Sequence, residues 1–357
     1  MRILKFFLNS KELSKNDIKY DNVNNILIVR QHNQLGDMLC SVPLFAALRK
    51  KFSAASITLV ASPINYKVLY SEINPYIDDV IIFNKSTLLH LFRFFKKLRS
   101  KKYDIGIVPS TVSVSRTSHF INYLSGAIIR VGVRSINGKK NKTEFLLNIK
   151  SDFEWAINHI HQTERNLDIG RQIGCDLTEE EKKQVGILLS EDEKKFAEDY
   201  IRENFPDKSK KILVFHAGAG KVQNRWSSKN FVELINKFYE NYDCYIIITS
   251  GKIDREITDF IVKELKKSNI NCTILEKESI RQIAAILLKT DLYITNDTGT
   301  MHVAVYVNAK VIGLFGPTYF YEWGPINENG TYIQSPTENI DDITVDEVYE
   351  KAKLYLK

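Results

Sequence analysis

The hydrophobic residues of this chain form short apolar runs, each followed by a polar turn and a longer segment with apolar residues at helical spacing. In the first half the runs are residues 26–29, 57–61, 80–83 and 105–108. In the second half they are residues 212–215, 244–249, 272–275, 292–295 and 311–315. Runs of this length, separated by helix-length segments, are typical of buried parallel strands joined by helices. The pattern predicts two consecutive α/β domains, each with a doubly wound parallel sheet.

Charged residues cluster where the pattern stops and restarts, around residues 179–183 and 190–193. We therefore predict four segments: an N-terminal extension over 1–22, a first α/β domain over 23–190, a second over 191–340, and a final helix over 341–357. That helix could pack back on the first domain. An apolar cluster at residues 3–8 is open to two interpretations, a docked terminal helix or a contact with a membrane surface.

A polar turn with several candidate ligand side chains follows the predicted strand 292–295. It contains Asp297, Thr298, Gly299 and Thr300, and His302 falls in the first turn of the helix that follows. A helix N-terminus offers unpaired N–H groups and a partial positive charge, so the turn could bind an anion. An ordinary capped strand-to-helix turn would use the same residue types. The segment alone leaves both interpretations open.

A second turn, residues 216–221, has glycines at positions 218 and 220 after a predicted strand. Glycines allow the backbone to approach a phosphate closely, although the spacing is neither a dinucleotide fingerprint nor a Walker A loop. Alone, this turn is most simply an ordinary strand-to-helix connection. Together with Arg225, whose guanidinium suits phosphate oxygens, His216 and Gly218 predict a cradle for a diphosphate.

Asp37 lies just beyond the first predicted strand, in a Gly-Asp turn that opens a helix. A carboxylate at the C-terminal end of a parallel strand could serve as a general base. Judged alone, it is most simply a carboxylate that only stabilises the helix N-terminus. Histidines and carboxylates nowhere show metal-ligand spacing, so we predict neither a metal nor a cofactor.

Composition narrows the functional classes. The chain has 357 residues, 44% hydrophobic and 26% charged, with a net charge of +7 that favours acidic partners. Four cysteines without Cys-x-x-Cys spacing, no apolar run long enough to span a membrane and no signal peptide together predict a cytoplasmic protein.

Residues 85–102 contain seven lysines and arginines and no acidic residue. Residues 88, 91, 92, 95 and 98 share one face of the predicted helix. This segment could be a basic amphipathic surface for anionic lipid or an acidic acceptor. It could also be an ordinary surface helix that turns its apolar face inward.

Taken together, the motifs resemble glycosyltransferase family nine, the bacterial heptosyltransferases that build the lipopolysaccharide inner core. The resemblance runs from about residue 24 to 335. It is carried by Gly36-Asp37 with Pro43 and Leu48, His216-x-Gly218 with Arg225-Trp226, the Asn296-to-His302 turn, and Gly313-Leu314-Phe315-Gly316-Pro317-Thr318.

This resemblance implies a GT-B fold, with two Rossmann-like domains facing each other across a cleft. The N-terminal domain would bind the acceptor and the C-terminal domain the nucleotide sugar. The implied reaction is inverting, metal-independent transfer of a heptose-type sugar from a nucleoside-diphosphate sugar, commonly ADP-heptose, to an anionic lipopolysaccharide core. Contact with the cytoplasmic face of the inner membrane is left open as one interpretation, and we predict no nucleic-acid partner.

The resemblance also implies roles for single residues. Asp37 would be the base, Asp297 would hold the donor sugar, and Arg225 would neutralise the departing diphosphate. The remaining diphosphate ligands would be His216, Gly218, Thr298, Gly299, Thr300 and His302. The region where family members bind the acceptor contains Arg116, His119 and Arg134, although no motif there anchors the assignment.

Two departures from the family pattern leave the donor open. Arginine stands before Trp226 where some members have lysine, and Ser227 follows where proline is frequent. Three alternatives therefore remain: a family member with another donor, a nucleotide-sugar epimerase of GT-B fold, and a catalytically silent protein that binds anionic glycolipid through residues 85–102.

Overall fold

The computed structural model describes residues 8–69, 73–110 and 112–356. The chain divides into two compact units, Met1–Val185 and Gly186–Lys357. Residues 1–7, which hold most of the N-terminal apolar cluster, lie outside the described ranges. Within the first unit, the amides of Ser10 and Leu13 donate to the carbonyls of Phe145 and Asn148, each at 2.9 Å. These bonds attach the N-terminal extension to the rest of the unit.

A parallel sheet forms the centre of the first unit. Its strands within the described residues are β1 (Asn25–Arg30), β2 (Ser56–Ala61), β3 (Asp79–Ile82), β4 (Ile105–Ile107), β5 (Ile129–Ile136), β6 (Lys139–Lys140) and β7 (Ile149–Phe153). The order is β3-β2-β1-β4-β5-β6, with β7 also beside β5, and β6 alone pairs antiparallel. Its helices are α1 (Leu35–Leu39), α2 (Val42–Lys51), α3 (Leu88–Leu98), α4 (Arg116–Leu124), α5 (Gln162–Arg171) and α6 (Glu179–Lys183).

The second unit repeats the design with an all-parallel sheet. Its described strands are β8 (Lys211–His216), β9 (Cys244–Thr249), β10 (Cys272–Leu275), β11 (Leu292–Asn296), β12 (Val311–Phe315) and β13 (Gly330–Gln334), in the order β10-β9-β8-β11-β12-β13. Its helices are α7 (Glu191–Asn204), α8 (Ser228–Asn241), α9 (Arg255–Lys267), α10 (Ile280–Leu288), α11 (Gly299–Tyr306), α12 (Phe320–Trp323) and α13 (Val345–Lys353). Short 3₁₀ turns across both units are Lys15–Asp17, Tyr20–Asn22, Asn65–Val68, Glu144–Leu146, Val222–Asn224 and Ile340–Asp342.

All nine strands predicted from apolar runs are present. The strands that the pattern missed are β5, β6, β7 and β13. Only half-buried residues occur in β13, which forms the edge of its sheet, so its sequence has no continuous apolar run. The last helix, α13, packs on α8 of the second unit, where Val348 and Tyr349 join the core around Trp226 and Phe238.

Helix α3 differs from its prediction. Phe94 and Leu98 are its buried side chains, and Leu91 and Phe95 pack partly against the same core. Leu88 and Phe92, which share the predicted apolar face with Leu91, Phe95 and Leu98, are exposed. Of the two interpretations of that face, the one that turns it inward is therefore wrong at positions 88 and 92, because the helix docks through the flank that contains Phe94.

The strand orders define where ligands are expected to bind. In the first sheet the order reverses between β1 and β4, and in the second between β8 and β11. Ligands of doubly wound sheets bind beyond the C-terminal strand ends at such switch points. Asp37 follows β1, and the two predicted anion turns follow β8 and β11, so all three lie at switch points. In the part of the chain that the structure describes, no helix is both long and apolar enough to cross a bilayer.

Candidate active site

Strand β8 ends in a buried histidine, which leads into the glycine turn. Nδ1 of His216 lies 3.0 Å from the backbone oxygen of Thr249 on the neighbouring strand β9. Burial lowers the pKa of His216, so the imidazole is neutral near pH 7. One ring nitrogen is therefore used inside the sheet. His216 contributes the shape of the turn and not a positive charge.

Glycine is required at position 218 by close packing. A Cβ built there would lie 2.2 Å from Cγ of Asp254, which immediately precedes α9. Asp254 is buried, and its Oδ1 has no hydrogen-bond partner among the described residues. The sequence did not single out Asp254. Its carboxylate underlies the glycine turn as an acceptor that a bound hydroxyl or water could satisfy.

A single amide side chain joins the two predicted anion turns. Nδ2 of Asn296, at the end of β11, donates to the carbonyls of Ala217 at 2.9 Å and Gly218 at 3.2 Å. Its Oδ1 accepts from the backbone N–H of Trp226 at 3.1 Å. Asn296 is fully buried, so these bonds are shielded from water. The structure therefore brings the turns after β8 and β11 together.

Arg225 lies against the glycine turn. Its Nε donates to the carbonyl of Ala219 at 2.9 Å, and the side chain is half-buried. This bond leaves the terminal guanidinium nitrogens to reach an anion above the turn. Arg225 is thus attached to the glycine turn through Ala219.

Asp297 is half-buried in a small polar network. Its Oδ2 accepts from the hydroxyl of Thr318 at 2.7 Å and from Nδ2 of Asn224 at 3.1 Å. Burial raises the pKa of Asp297, while these two bonds and the nearby Lys221 oppose that shift. Thr318 belongs to the Gly-Pro-Thr sequence after β12, so a third strand end contributes to this site.

Thr298 is the N-cap of α11. Its hydroxyl accepts from the Met301 amide at 3.4 Å and lies 2.9 Å from the Thr300 hydroxyl, which in turn lies 2.9 Å from the Tyr293 hydroxyl. The turn is therefore capped, and its capping groups lie at the switch point where an anion is expected. His302 is buried, with its ring 6.0 Å from that of Trp323.

In the first unit, Asp37 is paired with a buried arginine that the sequence interpretation missed. Nη2 of Arg30, the last residue of β1, lies 2.7 Å from Oδ1 of Asp37 and 3.0 Å from its backbone oxygen. The hydroxyl of Ser41 donates to the same backbone oxygen at 2.9 Å. Asp37 remains partly exposed while Arg30 is buried. The carboxylate is thus fixed in orientation and open to solvent.

The three residues in the predicted acceptor region have different environments. Arg116 is exposed at the start of α4, and the preceding Ser115 accepts from Nε2 of Gln31 at 3.4 Å, which places Arg116 at the same sheet edge as Asp37. Arg134 forms ion pairs with Glu12 and Asp152.

His119 is a core residue, contrary to its predicted acceptor role. It is completely buried, and its Nδ1 lies 2.8 Å from the hydroxyl of Thr143. Burial lowers the pKa of His119 to about 4. A side chain so enclosed has no surface for a substrate, and the polar neighbours Ser118 and Asn122, which are also buried, conceal this in the sequence.

A cavity of about 660 Å³ opens at the C-terminal ends of β1, β2 and β3. Its polar lining comes from the loops after these strands, and burial lowers the pKa of His32 within it. The sequence did not predict this cavity. The lining residues are Gln31, His32, Asn33, Gln34, Pro63, Ile64, Phe83, Asn84, Lys85 and Ser86.

Among the described residues, no cluster of three or more histidine, cysteine, aspartate or glutamate side chains could hold a metal ion.

Known proteins share both the sequence pattern and the fold. A family model described as glycosyltransferase family 9 (heptosyltransferase) matches residues 91–353. Lipooligosaccharide heptosyltransferase 2 of Campylobacter jejuni is 24% identical over 303 residues, which cover 84% of each chain. The glycosyl transferase family 9 structure from Veillonella parvula superposes with a TM-score of 0.79 at 18% identity, covering 98% of this chain and 99% of that one.

A second solved structure, the ADP-heptose lipopolysaccharide heptosyltransferase II of Escherichia coli, superposes with a TM-score of 0.73 at 20% identity, covering 93% of this chain and 98% of that one. These likenesses confirm the predicted GT-B fold class, built from two parallel-sheet α/β units. The family model covers well over half of the chain. The protein is a glycosyltransferase and belongs to glycosyltransferase family 9, the heptosyltransferase family.

Proposed function

We propose that this enzyme transfers a heptose from ADP-heptose to a lipopolysaccharide inner-core acceptor with inversion at the anomeric carbon. The observation that carries the proposal is the Asn296 bridge, which joins the glycine turn after β8 to the N-terminus of α11 after β11. Two turns held together at a switch point, with Arg225 beside them, suit a diphosphate leaving group.

The second unit would bind the donor and stabilise its leaving group. Negative charge accumulates on the diphosphate as the sugar departs. The Arg225 guanidinium, the backbone N–H groups of the glycine turn and the N-terminus of α11 are groups that favour such charge. Because they are held in place before the reaction, little reorganisation is needed when the charge develops.

Asp297 would recognise the donor sugar. Its Oδ2 already accepts two hydrogen bonds from Thr318 and Asn224, which fix the carboxylate orientation. A carboxylate held in this way could accept hydrogen bonds from sugar hydroxyls. The choice of ADP-heptose rests on the family and on the donor in the name of the Escherichia coli heptosyltransferase II.

The first unit would activate the acceptor. Asp37 takes the proton from an acceptor hydroxyl as that oxygen bonds to the anomeric carbon and the bond from that carbon to the diphosphate oxygen breaks. The products are the extended core sugar and ADP. A single positioned base of this kind is typically worth about 10²–10⁴-fold in rate. The cavity beside β1–β3, with Lys85 at its rim, would hold the anionic acceptor.

The decisive experiment measures ADP release from ADP-heptose with Kdo-lipid A and with heptosyl-Kdo-lipid A as separate acceptors, followed by mass and anomeric analysis of the product. Asp37→Asn should bind donor normally in calorimetry and lose at least about 10²-fold in turnover. Near-normal turnover of Asp37→Asn would show that the base is another group. Donor-only reactions are the control, since an altered free sugar without acceptor would instead indicate an epimerase.

Parallel titrations with UDP-, GDP- and CDP-sugars test donor choice. We expect ADP-heptose to bind at least tenfold more tightly than the others. Tighter binding of another nucleotide sugar, with transfer to the core acceptor intact, would keep the glycosyltransferase proposal and reject the donor.

A further inference from the structure

Helix α3 exposes three large apolar side chains in its N-terminal half. Leu88 is 85% exposed, Leu89 55% and Phe92 67%. The helix already has a buried inner face, because Phe94 and Leu98 pack with Phe83 and Tyr103 in the core of the first unit. The exposed residues are therefore a second apolar patch on a helix that is already anchored, and contiguous exposed apolar patches mark interaction surfaces.

Unpaired basic residues lie on the same side of α3. At about 100° per residue, Arg93, Lys96 and Arg99 fall within or beside the sector that contains Leu88, Leu89 and Phe92. No carboxylate of the described residues forms an ion pair with these three. By contrast, Lys97 and Lys101, which lie outside this sector, both pair with Asp79.

We propose that Leu88, Leu89, Phe92, Arg93, Lys96 and Arg99, here called the α3 surface, dock on the surface of an anionic phospholipid bilayer. Apolar side chains at one end of a helix can enter the boundary between headgroups and acyl chains, while arginine and lysine bind the phosphates. Residues 85–102 contain no acidic side chain that anionic headgroups would repel. This charge pattern favours a lipid surface over a second copy of the chain, whose identical basic surface would repel it.

The α3 surface begins next to the rim of the cavity beside β1–β3. Lys85 and Ser86 line the cavity beside β1–β3, and Thr87 caps α3 directly after them. A bilayer touching Leu88 and Leu89 would therefore lie next to the rim of that cavity. This step rests on the proposed function: a lipid-anchored acceptor would reach the cavity from the same membrane to which the enzyme is docked.

The test is vesicle flotation with the full-length protein. Vesicles of phosphatidylcholine alone are compared with vesicles containing about one-third phosphatidylglycerol, at low and high salt. We expect binding to the anionic vesicles, weakened severalfold by high salt. Leu88→Ser/Phe92→Ser and Arg93→Glu/Lys96→Glu should each lower the bound fraction at least about tenfold.

Leu354→Ser/Lys263→Glu is the matched control. Leu354 is 61% exposed and Lys263 is also exposed, but both lie in the second unit, so this variant should bind like the wild type. Circular dichroism and thermal unfolding establish that every variant is folded. Equal vesicle binding by all variants, or no binding by the wild type, would overturn the proposal. Dimerisation that depends on Leu88 and Phe92, without vesicle binding, would assign the surface to a second copy instead.

Activity assays separate this proposal from the proposed function. With a delipidated, water-soluble core acceptor, the α3 variants should turn over like the wild type. With the same acceptor embedded in anionic vesicles, they should lose activity in parallel with binding. If no core acceptor supports turnover by any variant, the proposed function fails, while the flotation result still decides the docking surface.

Discussion

The guanidinium of Arg30 lies 2.7 Å from the carboxylate of Asp37 and also donates to the backbone oxygen of that residue. Arg30 ends β1 and is buried, whereas Asp37 lies in the following helix and is partly exposed. A buried residue thus sets both the orientation of the proposed base and the path of the backbone around it.

Arg30→Lys tests this relationship. Lysine keeps the positive charge but lacks the fork that reaches the carboxylate and the backbone oxygen together. We expect kcat to fall about tenfold to a hundredfold, with the Kd for donor unchanged. The loss should appear in kcat with the KM for the acceptor unchanged, a split that a merely structural role would not produce. A wild-type kcat would argue against a positioning role.

Asn296→Ala should loosen the two donor turns. The substitution leaves the Trp226 amide and the carbonyls of Ala217 and Gly218 without their buried partner. We expect a loss of about 1–3 kcal/mol in the free energy of unfolding and at least tenfold weaker donor binding. Chemical denaturation and calorimetry measure the two quantities. Unchanged donor affinity would show that the turns keep their arrangement without the bridge.

Gly218→Ala and Gly220→Ala form a matched pair in one turn. A methyl group at position 218 would collide with the Asp254 carboxylate. A methyl group at position 220 would have no neighbouring atom within 4 Å. We therefore expect Gly218→Ala to lower stability by about 1–3 kcal/mol and weaken donor binding, with little effect of Gly220→Ala on stability. Thermal unfolding and donor titration of both variants make the comparison. Equal effects would mean that close packing at position 218 is unimportant.

Asp297→Asn should separate stability from donor recognition. Burial raises the pKa of Asp297 above its ordinary value of 3.8, so the folded protein holds this proton more tightly than the unfolded chain. The aspartate therefore loses stability as pH rises from about 4 through its folded pKa, and asparagine does not. We expect the stability of the variant relative to the wild type to rise between pH 4 and pH 7.5.

Donor turnover by Asp297→Asn should nevertheless fall about tenfold to a hundredfold, because a charged acceptor for sugar hydroxyls is lost. The amide oxygen of asparagine can still accept from Thr318 and Asn224, so the local structure is kept. Urea unfolding at the two pH values and kcat/KM at pH 7.5 provide the measurements. A stability difference that does not change with pH would contradict the assigned titration.

His119 should make the first unit sensitive to acid. Its pKa is about 4 in the folded protein and 6.5 by its ordinary value, so the unfolded chain binds the proton first as pH falls. Stability contributed by the neutral ring is complete above about pH 6.5 and is lost below it. The shift corresponds to about 3 kcal/mol between pH 7 and pH 4. His119→Gln should make the free energy of unfolding, measured with urea, depend less on pH between pH 7 and pH 4. The same pH dependence as in the wild type would contradict this role of His119.

Local sequence alone was enough to predict most of the strands and several residues of the candidate site. Apolar runs of four to six residues predict the strands because a strand buried on both faces needs apolar residues throughout. Asp37, Arg225 and Asp297 were singled out because each lies in the segment that follows such a run, and each parallel sheet brings the turns after its own strands to one edge. The residue types at the turns after β8 and β11 also indicated an anion site before any contact was known.

The tertiary structure decided which side chains are partners and which are enclosed. Arg30 bonds to Asp37 seven residues later, while Asn296 and Asp254 act on the turn after β8. Nothing in the sequence indicated these pairings. His119 looks like a substrate ligand in sequence, yet packing encloses it in the core. Leu88 and Phe92 match an inner helical face, yet α3 docks through the flank of Phe94 and leaves them outside. Burial and pairing depend on contacts between residues distant in sequence, and only the folded chain defines those contacts.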